Sequence, residues 1–542
     1  MSDIAGITIG PIIETISNAP SPAALWFASY FFSDITRRIC EKVYHSDSFK
    51  NTIIYAPYYN DGDTDNDGVG KFNDRVIFKA EQITKEVLEG IITDVKTESV
   101  NNFHAIINVS NATAYLEEYL QIPFVILPFG EDRTVDDIYS YLDILELMRT
   151  VPVHDRYSPF SSVFKGEENS RNKYVRESGL FKKVDQKYNQ LQNFAADKHI
   201  WRIEEIAAQK GTLLDHTDGR TENCRTINGK KWPHYYAIVS ADGDQLGKTV
   251  KTAAFVSDGQ DNRVISFNKA CKENATQAAK IIQSYGGMTI YAGGDDLLFI
   301  APVVGMDGTN ILSLCDKLNS NFGNYMDKYG FNNMSMSFGT SIQYYKFPLY
   351  EAFEKTSKLQ SQAKKYGRNA TALSLIKHSG QSIGFIYQNE YSKAMQDMID
   401  FANSNDKYND YGATIITAIS KTILKYKPLE QLLFKHACNP VMPEESFIKV
   451  WLNSFDNPKQ SIDTENGSAT VLSGNNAGEK GTIVNLYTET GKMFYSHFIK
   501  APVKMSVFTD EDCTTRLTED SILSFTALLE FQKFMREKEG ER

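Results

Sequence analysis

The chain is poor in the residue patterns that build zinc or disulfide frameworks. Its six cysteines, Cys40, Cys224, Cys271, Cys315, Cys438 and Cys513, nowhere pair at zinc-ligand spacing. That excludes a disulfide scaffold and predicts no zinc, only reduced, buried thiols. Long apolar runs are also missing. The longest aromatic-apolar patch, Ala23 to Phe32, is broken by Ser29 and falls far short of the ~20 residues that span a bilayer. No signal peptide opens the chain, since Met1-Ser2-Asp3 leads directly into structured sequence. A soluble, cytoplasmic protein is expected. Excess positive charge is lacking too. The net charge of −10 is unlike that of a free-standing nucleic-acid binder, which is usually basic. Contact with RNA or DNA is therefore expected to be local or shared with partner subunits. What is present is ordinary for a folded protein: 42% hydrophobic and 23% charged over 542 residues. That length is too great for one core and predicts about three or four domains.

Residues 1–150 read as alternating strands and helices. Gly6-Ile7-Thr8-Ile9, 51–57 and 124–128 are strand-like, and 22–44 is helix-like. Residues 151–231 turn polar and basic, with Lys165, Arg171, Lys173, Arg176, Lys182, Lys183 and Lys187, and with a helix expected over 181–208. Such a run is ordinarily a solvated face, yet it is the best internal candidate for an RNA-facing surface. Residues 232–380 repeat the alternation more clearly. Strand 235–241 precedes helix 264–284, hairpin 288–293/297–302, helix 308–328, strand 334–345, helix 350–366 and strand 370–377. This is the order of a ferredoxin-like or palm core. The predicted class is α+β: two palm domains, a helical insert at 151–231, and a helical C-terminal domain over 381–542. In that last part, 391–402, 413–426 and 429–437 read as helices, 457–482 as a mobile loop, and 519–536 as the final helix.

Two acidic motifs carry the chemistry. Asp242-Gly243-Asp244 ends the strand-like run Tyr235 to Val239, and Gly293-Gly294-Asp295-Asp296 sits at a hairpin tip after Met288 to Ala292. Carboxylates at the ends of neighbouring strands repel unless a cation lies among them. Mg²⁺ or Mn²⁺ favours such hard oxygen donors and pairs with phosphates, and two ions about 4 Å apart suit phosphoryl or nucleotidyl transfer. Gly243, Gly293 and Gly294 clear side-chain bulk where a triphosphate would lie. Gly-Gly-Asp-Asp alone is as readily a solvated turn; its pairing with Asp242 on a neighbouring strand favours a site. A third element, Ala363-Lys364-Lys365-Tyr366-Gly367-Arg368-Asn369, closes a helix and spaces Lys364 and Arg368 by i, i+4 for a grip on phosphate oxygens. Basic residues there also suit the helix dipole without any ligand.

These elements resemble the palm shared by GGDEF-type nucleotide cyclases and the large polymerase-cyclase subunit of type III CRISPR effector complexes. Asp242-Gly243-Asp244-Gln245-Leu246-Gly247 and Ser337 to Leu349 are similar to the latter, and Ile7 to Ile12 with Ala24 to Tyr30 to its Cmr-type branch. The resemblance covers roughly 1–130 and 232–378. It implies a target-RNA-activated nucleotidyltransferase that uses ATP and two Mg²⁺ or Mn²⁺ ions, releases pyrophosphate and makes cyclic oligoadenylate or a related adenylate messenger. It also implies guide CRISPR RNA, target RNA and other Cmr-type subunits as partners. By position, Asp242, Asp295 and Asp296 would be catalytic and hold metal with Asp244, while Gly243, Gly293, Gly294, Lys364 and Arg368 would bind nucleotide.

Two departures from that family stand out. The sequence opens at the first palm without the HD nuclease found in many members, and its His154-Asp155 pair lacks nearby histidines, so no DNase is expected. The cysteine-rich zinc module is reduced to Cys224. Asp63 to Gly68 with Asp74 imitates a calcium loop, but it follows a strand and lacks the bidentate Glu. A solvated loop, or the border of an acceptor-nucleotide pocket, is the expectation. The alternatives are a scaffold subunit and a GGDEF-like dinucleotide cyclase.

Overall fold

A computed structural model describes residues 2–17, 22–61, 69–107, 112–130, 133–148, 203–208, 225–227, 230–232, 235–245, 250, 262–305, 307–400, 442–453, 460–463, 468–471 and 482–536. The His154-Asp155 pair, the basic run 165–187, the calcium-like loop 63–68 and the helices expected over 413–426 and 429–437 lie outside them. The described chain forms two compact units, Met1–Asn223 with His234–Gln360, and Cys224–Pro233 with Ser361–Arg542.

The first unit holds two sheets. Strands β1 (Ser2–Thr8), β2 (Lys50–Ala56), β3 (Arg75–Glu81) and β4 (Phe124–Pro128) are ordered β2-β3-β1-β4. β1 is central and buries Ile4 to Thr8 without a break, so its apolar run is continuous rather than alternating. β3, absent from the sequence reading, pairs antiparallel with β1 from Ser2–Glu81 to Thr8–Arg75. Helices α1 (Ile12–Ser17), α2 (Pro22–Tyr44), α3 (Lys85–Ile107), α4 (Ala112–Tyr119) and α5 (Val135–Leu147) complete this palm, and α6 (Ile203–Ala208) is the described helix of the expected helical insert, whose described residues near its end are strands instead. Pro22 suits the first turn of α2, where its missing N–H has no intrahelical partner.

The second palm repeats the plan. After the short hairpin β5 (Arg225–Ile227)/β6 (Lys230–Trp232) come β7 (Tyr235–Gly243), α7 (Arg263–Tyr285), β8 (Met288–Gly293), β9 (Asp296–Pro302), α8 (Ile311–Lys328) and β10 (Met336–Tyr344). Within the first unit these strands run β10-β7-β9-β8. Asn262 caps α7 by accepting from the Val264 and Ile265 amides, and Gly286, at φ 98°, ends it in the left-handed conformation that suits glycine. Asn310 likewise caps α8 through the Leu312 and Ser313 amides. The two palms share one apolar core, in which Trp26, Phe32 and Ile35 of α2 cluster with Tyr236, Ile238, Ile290 and Ile300.

Helix α9 (Leu349–Lys365) leads into the second unit, where β11 (Ala370–Ile376), β12 (Ser382–Gln388), β15 (Met505–Phe508) and β16 (Leu517–Thr518) are ordered β16-β15-β12-β11. Residues 381–542 are therefore not purely helical. Short apolar strands such as Ile383 to Tyr387 carry too little periodicity to be told from helix. Strands β13 (Gln460–Asp463) and β14 (Ser468–Val471) also pair inside the stretch expected to be a mobile loop. Helices α10 (Ser392–Asp400), α11 (Glu444–Asn453), α12 (Thr482–Phe494) and α13 (Ser521–Arg536) complete this unit, and α13 packs on β12 and β15, with its Phe531 edge-on to Phe385 at 5.7 Å between centroids. Among the described residues no helix is long and apolar enough to cross a membrane.

Candidate active site

Strand register assembles the acids. Asp242, next to last in β7, lies directly opposite Asp296, the first residue of β9, and opposite Ser337 of β10 on its other side. Directly opposed residues project from the same face of a sheet, so Asp242 and Asp296 share one face. Asp295 precedes Asp296 in the two-residue tip closed by the Gly293–Asp296 pair. Gly294 takes φ +64°, which a two-residue hairpin of this class requires at its first central position, and open space faces its Cα. The Gly243 amide donates to the Asp295 carbonyl at 3.2 Å. A Cβ on Gly243 would lie 2.8 Å from the Asp295 Cβ and 3.0 Å from the Phe322 Cζ. Glycine at 243 is what lets the tip close onto the end of β7.

The electrostatics follow from that closure. Burial pushes the Asp295 carboxyl well above the usual carboxylate range. The negative charges of Asp296 and then Asp242 push it further, and its side chain shares a hydrogen bond with Asp242. Two acids in hydrogen-bond contact, with a third on the next residue, form a site that prefers a proton or a cation to three bare charges. Tyr291, whose ring a Cβ on Gly293 would strike at 2.6 Å, is raised by burial and then by Asp296, Asp74 and Asp295.

Asp244 is placed elsewhere. It is fully buried, and its carboxylate accepts from Ser335 Oγ at 2.9 Å and from Ser337 Oγ at 2.8 and 3.0 Å. Its amide donates to the Ser335 carbonyl at 2.7 Å. The structure thus brings together Asp242, Asp295 and Asp296, while Asp244 ties the end of β7 to the start of β10. The serines were missed by sequence reasoning, since isolated serines beside a strand carry no motif. Among the described residues no group of three or more His, Cys, Asp or Glu is arranged to hold a metal ion. The donor type fits Mg²⁺ or Mn²⁺, but the acids do not form a closed cage by themselves.

Lys364 and Arg368 belong to the second unit. The expected i, i+4 alignment does not hold, because α9 ends at Lys365 and Gly367, Arg368 and Asn369 all take left-handed φ of 110°, 64° and 43°. Lys364 is half-buried on the helix, and Arg368 is exposed beyond it. The turn is held from β12 and its flank. Gln388 Nε2 donates to the Tyr366 and Arg368 carbonyls at 2.8 and 3.2 Å, and the Asn389 amide to the Asn369 carbonyl at 2.7 Å.

Comparison with known proteins bears on this palm. Residues 235–372 match the family described as Cas10/Cmr2, second palm domain. Over these residues the chain is similar to the Cas10/Cmr2 second palm. It is 30% identical over 173 residues to the CRISPR system Cmr subunit Cmr2 of Pyrococcus furiosus, a match covering 27% of this chain and 19% of that relative. The match thus spans about a fifth of the relative's length. Among solved structures, it resembles a type III-B Cmr-beta complex bound to cognate target RNA (TM-score 0.49, 10% identity, 91% of this chain and 83% of the other). It also resembles an apo Csm1-Csm4 cassette (TM-score 0.48, 12% identity, 91% and 70%).

Proposed function

We propose that the chain is the nucleotidyltransferase subunit of a type III CRISPR effector complex, activated when guide RNA pairs with target RNA. The observation that carries this is the register that sets Asp242 opposite Asp296, with the Gly243 amide bonded to the Asp295 carbonyl at 3.2 Å, within a palm similar to that of Cas10/Cmr2. Asp242, Asp295 and Asp296 would hold divalent metal, with the remaining oxygens coming from the triphosphate and water. When bound, Mg²⁺ or Mn²⁺ supplies charge neutralisation at the α-phosphate and the leaving pyrophosphate. Gly294 leaves room for the triphosphate, and Gly243 sets the spacing between strand end and tip. In-line attack by an acceptor 3′-hydroxyl on ATP forms the new phosphodiester and releases pyrophosphate; repetition gives short or cyclic oligoadenylates. Asp244 stands outside this machinery. The strand order of the first palm supports its acting as the acceptor half, which disfavours a homodimeric dinucleotide cyclase.

The test is to assemble the complex with guide RNA, supply ATP and Mg²⁺ with and without matching target, and resolve products. Product is expected only with target, and none from Asp295→Ala/Asp296→Ala. Equal product from the double variant would sink the metal assignment, and no product under any activation would favour a scaffold role.

A further inference from the structure

The sheet order leaves β8 at an edge, with β9 on one side only. Its ladder to β9 is further interrupted by a register shift between Thr289 and Tyr291. Bulges weaken pairing locally, and this one lies a few residues ahead of the Gly294-Asp295 tip that Asp296 closes. Yet the far side of β8 is not bare. Gly70, from the loop joining β2 and β3 of the first palm, forms a parallel bridge with Tyr291, and the Ala292 amide donates to the Gly70 carbonyl at 3.0 Å.

The bridging segment is itself clamped. The Phe72 amide donates to Ser33 Oγ of α2 at 3.0 Å. A Cβ on Gly70 would lie 3.2 Å from the Ser33 Cβ and 3.4 Å from the Ser29 Oγ. Ser29 and Ser33 stand one turn apart on one face of α2, so two small side chains form the floor on which Gly70 rests. The Lys272 ammonium of α7 lies 4.8 Å above the Phe72 ring and donates to the Tyr58 carbonyl at 3.3 Å. Asn268, one turn earlier, donates to the Tyr55 carbonyl at 3.1 Å. The segment is therefore threaded between a helix of one palm and an edge strand of the other.

We infer that residues 69–72 of the first palm act as a positioning strap for the Gly293–Asp296 hairpin, with Gly70 the position that permits it. The inference rests on the proposed nucleotidyltransferase reading for its catalytic consequence, but not for its structural one. Removing the strap would free the one hydrogen bond that holds the Ala292 amide on the outer side of β8, two residues before the tip. The tip would still form. Its acids would be held less firmly in the arrangement that a metal–triphosphate needs.

The test uses the full chain in its complex and two variants. Gly70→Val forces the strap off Ser33, and Ser33→Ala leaves the Phe72 amide without its acceptor while adding no bulk. Hydrogen exchange of the Ala292 amide is expected to rise tenfold or more in Gly70→Val and less in Ser33→Ala. Mn²⁺ binding should weaken in the same order. Product formation per folded, complex-bound chain should fall about tenfold through kcat with the ATP KM within twofold, the folded fraction being matched by circular dichroism so that lost protein does not mimic the effect. If Gly70→Val does not fold, Ser33→Ala carries the test. If wild-type complex makes no product, the function reading fails, while exchange and Mn²⁺ binding still decide the strap. Unchanged Ala292 exchange in both variants, or faster exchange with unaltered Mn²⁺ binding, would overturn it.

Discussion

The two palms have the same strand order and the same helix placement, yet their equivalent sites carry opposite chemistry. In the second palm the final pair of the central ladder is Asp242–Asp296; in the first it is Thr8–Arg75. Arg75 is ion-paired with Asp143 at 2.6 Å and Glu146 at 2.8 Å, both on α5, and Thr8 Oγ1 donates to Glu146 at 2.8 Å. Where one palm gathers acids that repel, the other has a satisfied cation. The hairpins differ as well. A two-residue tip closes β8 onto β9, whereas the first palm's connection runs from Ala56 to Arg75 and reaches across to β8. One backbone plan thus serves as a candidate reaction centre in one copy and as its structural support in the other.

The largest effect that could break this comparison is on turnover. Asp242→Ala should lower product formation by about a thousandfold or more, as loss of a metal-holding group does. Thr8→Val, at the matching register position, should leave the rate within about threefold. Comparable losses in both, measured on the assembled complex, would mean that the first palm holds a second reactive centre.

Next in size is stability. Arg75→Met should cost about 2–3 kcal/mol in urea unfolding, because Glu146 and Asp143 lose their cation at a site where the Arg75 side chain is only 16% exposed. The open position of Asp143 moderates the loss. An unchanged unfolding midpoint would reduce the Arg75 ion pairs to surface decoration and weaken the claim that the first palm's site is electrostatically satisfied.

Ser337→Ala should cost about 1–2 kcal/mol, since the buried Asp244 carboxylate keeps only its Ser335 hydroxyl bond among these two serines. Mn²⁺ affinity should change little. A large loss of Mn²⁺ binding with unaltered stability would return Asp244 to the metal set.

Much of the second palm was legible because its elements are long and punctuated. Asn262 and Gly286 bracket α7, and Gly294 can only mean a turn between two apolar runs. The expected strand 334–345 and helix 350–366 differ by a residue or two from β10 and α9. The acids were readable as motifs, but their partition was not. Nothing local distinguishes Asp242 from Asp244; only pairing with Ser335 and Ser337, about ninety positions away, directs Asp244 inward. β3 was hidden because Arg75-Val76-Ile77-Phe78-Lys79 follows an acidic, turn-like stretch with no clear boundary. The left-handed run at Gly367 to Asn369 was unreadable for a similar reason, since it depends on Gln388 and Asn389.

The smallest effect is also the most diagnostic of the difference between palms. An acid raised above its unfolded value destabilises the folded protein once pH exceeds that unfolded value, 3.8 for Asp295, and the penalty grows until the folded carboxyl ionises. Without divalent metal, Asp295→Asn should therefore raise the melting temperature by a few degrees near pH 7 and by nothing near pH 4. The gain should vanish when Mn²⁺ is added, because cation binding stabilises wild type but not the variant. Glu146→Gln in the first palm should act in the opposite sense near pH 7, since it removes a partner from Arg75. Should Asp295→Asn lower the melting temperature at neutral pH without metal, the crowding of Asp242, Asp295 and Asp296 would not be repulsive, and the contrast drawn between the two palms would fail at its electrostatic root.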